Sequence, residues 1–386
     1  MTNDPTQYDA TTAWHELLDG LRELETTFLQ GDRAVQGENA VSDGYRMLAT
    51  ILGVGLDTYL FSDPARPIFL DTVTPFRRDR RWGGDNTDSY YSYVVIDPTR
   101  TYRITGQRAN SVYFSLTIYN EPAPGAWSDR VIGIVKDSDL EYDAEGRFEL
   151  MIGPERPEGY GGVFVELAPD AAVALTRDYL VDPETDQRVI WEIEAMEDPG
   201  PLRRTDADTA QALRSTLNWM RTMFAIVPLS VGVRQDDERF ELGHDISQVA
   251  NEFADPYPVP MANFGWSATD ACYSFGSYDL AEDEALVITH RPPSCRFWNL
   301  IVWNQFMAGH NVTDGRTSIN HGAAIPNSDG SVTVVVARTL LDHPNAISTL
   351  DQVRGNLAFR WFLPDEVPAR PEVRLVKISL APTAVS

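Results

Sequence analysis

Cysteine is almost missing from this chain of 386 residues: only Cys272 and Cys295 occur. A disulfide framework is thereby excluded, and one bridge is the most that could form. Positive charge is also short, with 32 Lys and Arg against 57 Asp and Glu and a formal net charge of −25. Such a field repels phosphate backbones and anionic lipid, which argues against nucleic acid and membrane partners. The acidic excess could hold divalent cations or steer cationic ligands, and it serves equally as a plain solubilising surface. No uninterrupted apolar run reaches the roughly 18 residues of a membrane span, and the most apolar stretch, Tyr45 to Phe61, is broken by Arg46 and Asp57. The opening MTNDPTQYDA has neither the basic nor the apolar region of a secretory signal. A soluble, cytoplasmic protein is expected, in which the Asn311-Val312-Thr313 sequon carries no meaning.

Familiar catalytic signatures are absent as well. There is no Gly-x-Ser-x-Gly elbow, His-Glu-x-x-His helix, Walker loop or paired Cys-x-x-Cys, so the commonest hydrolase, zincin, NTPase and zinc-ribbon readings lose their support. Gly53-Val54-Gly55 has neither a third glycine nor a preceding strand, too little for a nucleotide loop. The histidines, His15, His244, His290, His310, His321 and His343, show no ligand spacing. Neither a zinc site nor an organic cofactor is expected.

What is present is a periodic, fully foldable chain. Apolar residues make up 43% and charged residues 23%, well outside the disordered regime. Trp14, Leu17, Leu18, Leu21, Leu24 and Phe28 repeat at helical spacing in an N-terminal helical segment, residues 1–66. A second helix there is expected to start at Ser42-Asp43-Gly44 and to end near Ser62-Asp63-Pro64. Residues 67–204 change to short runs rich in Tyr, Val, Ile and Phe, broken by Gly, Pro and Asp as in β-sandwiches. A bridging segment, 205–254, opens with a helix capped at Thr205/Asp206 and carrying Leu213, Leu217, Met220 and Phe224 on one face. Residues 255–386 return to strands, with Asp329-Gly330 as a hairpin-turn signal. The expected fold is mainly β of the α+β class, two packed antiparallel sandwich-like halves with helical additions.

The second half also carries four runs that belong together: Cys295-Arg296-Phe297-Trp298-Asn299-Leu300, Arg316-Thr317-Ser318-Ile319-Asn320, Ser328-Asp329-Gly330-Ser331-Val332 and Gly355-Asn356-Leu357-Ala358-Phe359-Arg360-Trp361. In these runs the chain resembles the uncharacterised, mainly bacterial family called domain of unknown function 1214. Upstream, Trp82 to Tyr90 is similar to the Gly-Asn-Pro-Asp-x-x-Tyr segment of longer members, with Thr87 in place of the proline. Many members carry an Asn-Trp pair before the closing Arg-Trp strand; here the residues are Pro344-Asn345-Ala346-Ile347, without that aromatic. The resemblance implies β-sandwich domains and a small-molecule role, and supplies no reaction.

Two polar constellations are candidates for chemistry. Asp85-Asn86-Thr87-Asp88, followed by Tyr90, Tyr91 and Tyr93, is a turn on the simplest reading, because Asn and Asp bond their own backbone. Such a loop entering a sandwich can also point a carboxylate and an amide into a cavity walled by Tyr rings. Asp88 is then the acid or base, Arg103 on the next strand pairs with it or binds substrate oxygen, and Asn86, Tyr90 and Tyr113 line the site. In the second constellation Arg316, Ser318 and Asn320 share one strand face, near His321, Arg360 and the apolar walls Trp298, Trp303 and Trp361. A solvent face is the simpler reading of such a strand. His310 and His321 flank it as further acid–base candidates, with His321 preferred. The acidic run around Asp236, Asp237 and Glu241 could share a magnesium ion and faintly resembles the aspartate-rich motif of class I terpene cyclases, but a solvated helix is the plainer reading.

The expected function is that of a cofactor-independent lyase, hydratase or isomerase holding a hydrophobic small molecule. The alternatives are a non-catalytic small-molecule or carbohydrate-binding protein and, more remotely, a magnesium-dependent enzyme acting on a prenyl diphosphate. A homodimer is the one protein association left open.

Overall fold

Helix α1 (Asp9–Leu29) buries Ala13, Leu17, Gly20, Leu24 and Phe28 along one stripe, as three- and four-residue spacing requires. Trp14 lies off that stripe and is exposed. Helix α2 (Glu38–Leu56) begins at Gly37, earlier than the expected Ser42-Asp43-Gly44 start, and continues as a π-helical turn to Phe61. Gly44 is instead an interior helix residue, where an added Cβ would lie 2.5 Å from the Phe28 ring. Helix α3 (Asp206–Ile226) starts on a reciprocal cap: Asp208 N donates to Thr205 Oγ1 at 3.1 Å and Thr205 N to Asp208 Oδ2 at 2.9 Å. The Asp206 carboxylate also accepts Asp9 N at 2.7 Å, so α3 caps α1. Gly20 faces Leu217, and Thr216 Oγ1 donates to the Gly55 carbonyl at 3.2 Å. The N-terminal and bridging helices thus make one layer, and Gly53-Val54-Gly55 is part of its packing.

The computed structural model describes residues 7–202, 204–229, 246–262 and 264–385. Four sheets carry the remaining architecture. In the first half, one sheet runs Leu70–Val73, Ser89–Val95, Ala171–Tyr179, Tyr113–Asn120, Val131–Lys136, and the other Val163–Glu166, Arg147–Gly153, Tyr102–Gln107, Ile190–Ala195. In the second half, one sheet runs Ile246–Ala250, Ala271–Asp279, Arg354–Phe362, Phe297–Trp303, Ser318–Asn320, and the other Ala346–Ser348, Val332–Ala337, Glu284–His290, Glu372–Lys377. Pairing is mostly antiparallel, and the fold is mainly β with three α-helices among the described residues. Asp329-Gly330 does form a tight turn, with Gly330 at φ 82, but no strand pairs across it; the following strand pairs with Glu284–His290 instead.

Strand alternation sorts the side chains into three apolar layers. Ile104, Phe114, Leu116 and Leu150 fill the first sandwich, and Leu286, Trp298, Val334 and Trp361 fill the second. Between the two lies a third layer, rich in aromatics, where Tyr91, Tyr113 and Tyr179 meet Phe297, Trp303 and Phe362. The halves therefore pack face to face, sheet on sheet.

Candidate functional site

At one end of the central layer, the loop from Arg81 to Asp88 of the first half is inserted against the second. Gly83 and Gly84 stand at φ 66 and 71, a left-handed pair that reverses the chain. Gly84 N donates to the Met307 carbonyl at 2.9 Å, and the Gly84 carbonyl accepts from the Arg360 guanidinium. Asp85 is fully enclosed: Arg81 Nη1 donates to its Oδ2 and Gly309 N to its Oδ1, both at 2.6 Å, while Trp303 Nε1 reaches its carbonyl at 2.9 Å. A Cβ at Gly309 would lie 3.0 Å from both Asp85 and Thr87, so the close approach favours glycine there.

Asp88, only 3% exposed, has no cation bonded to its carboxyl among the described residues. Its Oδ2 accepts from Asn299 Nδ2 at 2.9 Å and its Oδ1 from Ser318 Oγ at 2.8 Å, both from the second half. Asn299 Nδ2 also lies 2.7 Å from Asn86 Oδ1, which takes Asp88 N at 3.0 Å. Burial drives the Asp88 pKa upward, opposed by hydrogen bonds from Asn299, Ser318 and Asn320 and by the charge of Arg81. Strand register explains the assembly: Tyr273 pairs with Arg360, Arg360 with Asn299, and Asn299 with Asn320. Directly opposed residues share a face, so these side chains form one polar row under the Asp88 loop.

The family model described as protein of unknown function (DUF1214) matches residues 91–185 and 277–366. These two segments belong to DUF1214. The fold resembles that of an uncharacterized protein from Burkholderia cenocepacia, with 23% identity and a TM-score of 0.83 over 98% of this chain and 100% of the other. A more distant likeness is to the VPA0106 protein from Vibrio parahaemolyticus, at 12% identity and a TM-score of 0.50, covering 93% of this chain and 100% of that one. The comparison with curated proteins finds no match. Asn299, Ser318, Asn320 and Arg360 fall in the second DUF1214 segment, whereas Asp85 and Asp88 stand just before the first.

The structure brings Asp88, Asn86, Ser318, Asn320 and Arg360 together, with Trp303 beside them; Arg360 Cζ lies 5.0 Å from the Trp303 ring centroid. Tyr113 also faces the central layer, stacked on Tyr179 with its hydroxyl on Asp270. Other expected members are elsewhere, mostly for reasons of strand parity. Arg103 does not reach Asp88. It alternates with buried Tyr102 and Ile104, so it emerges on the outer sheet, bonding Glu149 at 2.7 Å and Glu194 at 3.1 Å along a groove of about 900 Å³. Trp298 and Trp361 point into the second sandwich and wall no site with Trp303, which has the opposite parity to Trp298. Tyr90 faces away from Tyr91, with Arg188 over its ring at 4.6 Å. Arg316 turns from the row to donate to the Pro344 carbonyl at 2.6 Å.

His321 is half-buried edge-on to Phe297, its pKa lowered by burial, and bonds Asp88 in none of its contacts. His310 is likewise lowered, chiefly by burial. Asn345 ties Ile325 and Thr333 together through its amide at 2.7 and 2.9 Å. Cys272 and Cys295 are both free. Asp236, Asp237 and Glu241 lie outside the described residues; among the described ones no group of His, Cys, Asp or Glu is arranged to hold a metal. No described helix is long and apolar enough to cross a membrane. The residues that sequence reasoning left out of the site are Asn299, Arg81 and Arg177. Two had a signal: Asn299 is a lone polar residue within an apolar strand, and Arg81 stands four residues before Asp85.

Proposed function

We propose that the protein is a cofactor-independent enzyme of the lyase, hydratase or isomerase type, acting on a hydrophobic small molecule held between the two sandwiches, with Asp88 as acid or base. The observation that carries this reading is the Asp88 carboxyl, buried, raised in pKa and held by neutral donors from the opposite half. A carboxyl raised in this way keeps its proton to higher pH than an exposed one and can deliver or take it within an enclosed site. When protonated, it can give its hydrogen to Ser318 Oγ while the other oxygen keeps Asn299. The Tyr and Trp faces of the central layer favour an apolar substrate body. Burial of Trp298, Trp303 and Trp361 counts against an exposed aromatic platform of the carbohydrate-binding kind.

Asp88→Asn tests the proposal because the amide retains the shape and one acceptor. A mixture of small metabolites incubated with the protein and followed by mass spectrometry should show conversions with the wild type that disappear with Asp88→Asn, a loss of about 100- to 10,000-fold. The melting temperature should stay close to that of the wild type. Equal conversion by both proteins would remove Asp88 from the chemistry.

A further inference from the structure

Among the described residues three arginines are buried at the central layer, Arg81, Arg177 and Arg360, and one of them, Arg81, has a carboxylate partner. Arg81 is paired with Asp85. Arg177, 1% exposed, bonds Thr117 Oγ1 at 3.2 Å, Tyr119 Oη at 2.7 Å and the Trp266 carbonyl. Arg360, 4% exposed, bonds the Gly84 carbonyl and, at 3.4 Å, Tyr91 Oη, and its Nε finds no partner among the described residues. The two guanidiniums share Tyr91: Arg177 lies 5.3 Å from the centre of the ring whose hydroxyl Arg360 touches. Arg360 is also stacked 5.2 Å from Tyr273, the first member of the polar row.

Charge within a low-dielectric layer is costly unless it is compensated. Carbonyl dipoles and ring faces compensate part of it here. The remaining carboxylate, Asp270, is engaged by the Tyr113 hydroxyl. Asp85 is paired to Arg81, and Asp88 is engaged by Asn299 and Ser318, so neither carboxylate is bonded to Arg177 or Arg360.

We infer that Arg177 and Arg360 form a binding site for an organic monoanion, a carboxylate on an aromatic or aliphatic body, within the layer between the two sandwiches. A planar carboxylate matches the guanidinium fork and the unused Nε donor of Arg360, and its body lies against Tyr91, Tyr273 and Trp303. Through Asn299, cross-strand neighbour of Arg360, the anion adjoins Asp88. That the anion is the substrate rests on the catalytic reading above; that it binds does not.

The test is calorimetric titration of the full chain with benzoate and octanoate, and with benzamide and octanamide as neutral counterparts. At least one carboxylate should bind roughly tenfold or more tightly than its amide. Arg360→Met should remove that preference, and Arg360→Lys, which keeps the charge without the fork, should weaken it if the methionine variant fails to fold. Arg103→Ala, on the outer sheet, should bind the carboxylate as the wild type does. No binding of either carboxylate, or equal binding of acid and amide, overturns the anion site. An Asp88-dependent conversion of a neutral compound beside such a result would leave the catalytic reading standing alone.

Discussion

The side-chain amide of Asn299 lies 2.9 Å from Asp88 and 2.7 Å from Asn86, so one group of the second half holds two of the first across 211 and 213 positions of sequence. Truncation by Asn299→Ala leaves Asp88 Oδ2 short of a donor in a site closed to water. The cost should be about 1–3 kcal/mol, read as a lower melting temperature. The Asp88 pKa should also move further up, because the Asn299 hydrogen bond is one of those holding it down. A carboxyl titration followed by NMR that shows no such movement would contradict the contact.

The share of stability contributed by two buried aspartates should fall as pH rises from acid toward neutral. Asp88 is raised by burial, and Asp178, on the opposite face of its sheet, is pushed up to about 7, also mainly by burial. Burial also lowers His290, to about 3, which acts in the opposite sense. An unfolded Asp, however, releases its proton near pH 3.9, so between about pH 4 and 7 folded Asp178 keeps a proton that its unfolded counterpart has lost. The contribution is complete below the unfolded value and is lost on passing through the folded one. Asp178→Asn should flatten the slope of denaturation midpoint against pH in that interval. An unchanged slope would assign the dependence to other groups.

Arg103→Ala should leave conversion and carboxylate binding unaltered. Its two ion pairs are exposed, and such pairs typically contribute no more than about 1 kcal/mol. A loss of either property would move the chemistry to the groove on the outer sheet.

Two neighbouring glycines of α2 should respond with opposite signs. A Cβ at Gly55 would lie 2.9 Å from Thr216 Cγ2 of α3, whereas at Gly53 the nearest atom is Arg80 Nη1 at 3.9 Å. Gly55→Ala should therefore destabilise, by about 1–3 kcal/mol if the helices part. Gly53→Ala should stabilise by up to about 1 kcal/mol through helix propensity. Thermal melts of the two variants decide it.

Much of the architecture was legible because it is written in local periodicity. The Thr205 cap, the α1 stripe and the strand Val332–Ala337 follow from neighbours a few residues apart. The site was legible only in part. Asp88, Asn86, Ser318, Asn320 and Arg360 could be named by residue type, yet their meeting depends on strand register over more than 200 positions, which local pattern does not encode. Residue type groups Trp298 with Trp303 as walls of one site, whereas alternation over five positions puts them on opposite faces. Asn299 belongs to the run shared with the family, and its chemistry is legible from its neighbours. Its isolation among Phe297, Trp298, Leu300 and Ile301 marks a buried amide that must find partners.

The division of the Asp88 cage between two halves also gives the site a history during synthesis. With 211 residues separating Asp88 from Asn299, a ribosome adding about 5–20 residues per second leaves roughly 10–40 s in which the first half has emerged and its partner strand has not. Throughout that interval the Asp85 to Asp88 loop is hydrated and Asp88 titrates as an ordinary surface acid. Docking of the second half is the event that dehydrates it, so the nascent chain acquires its unusual acid late, only when the last strands of the central layer close.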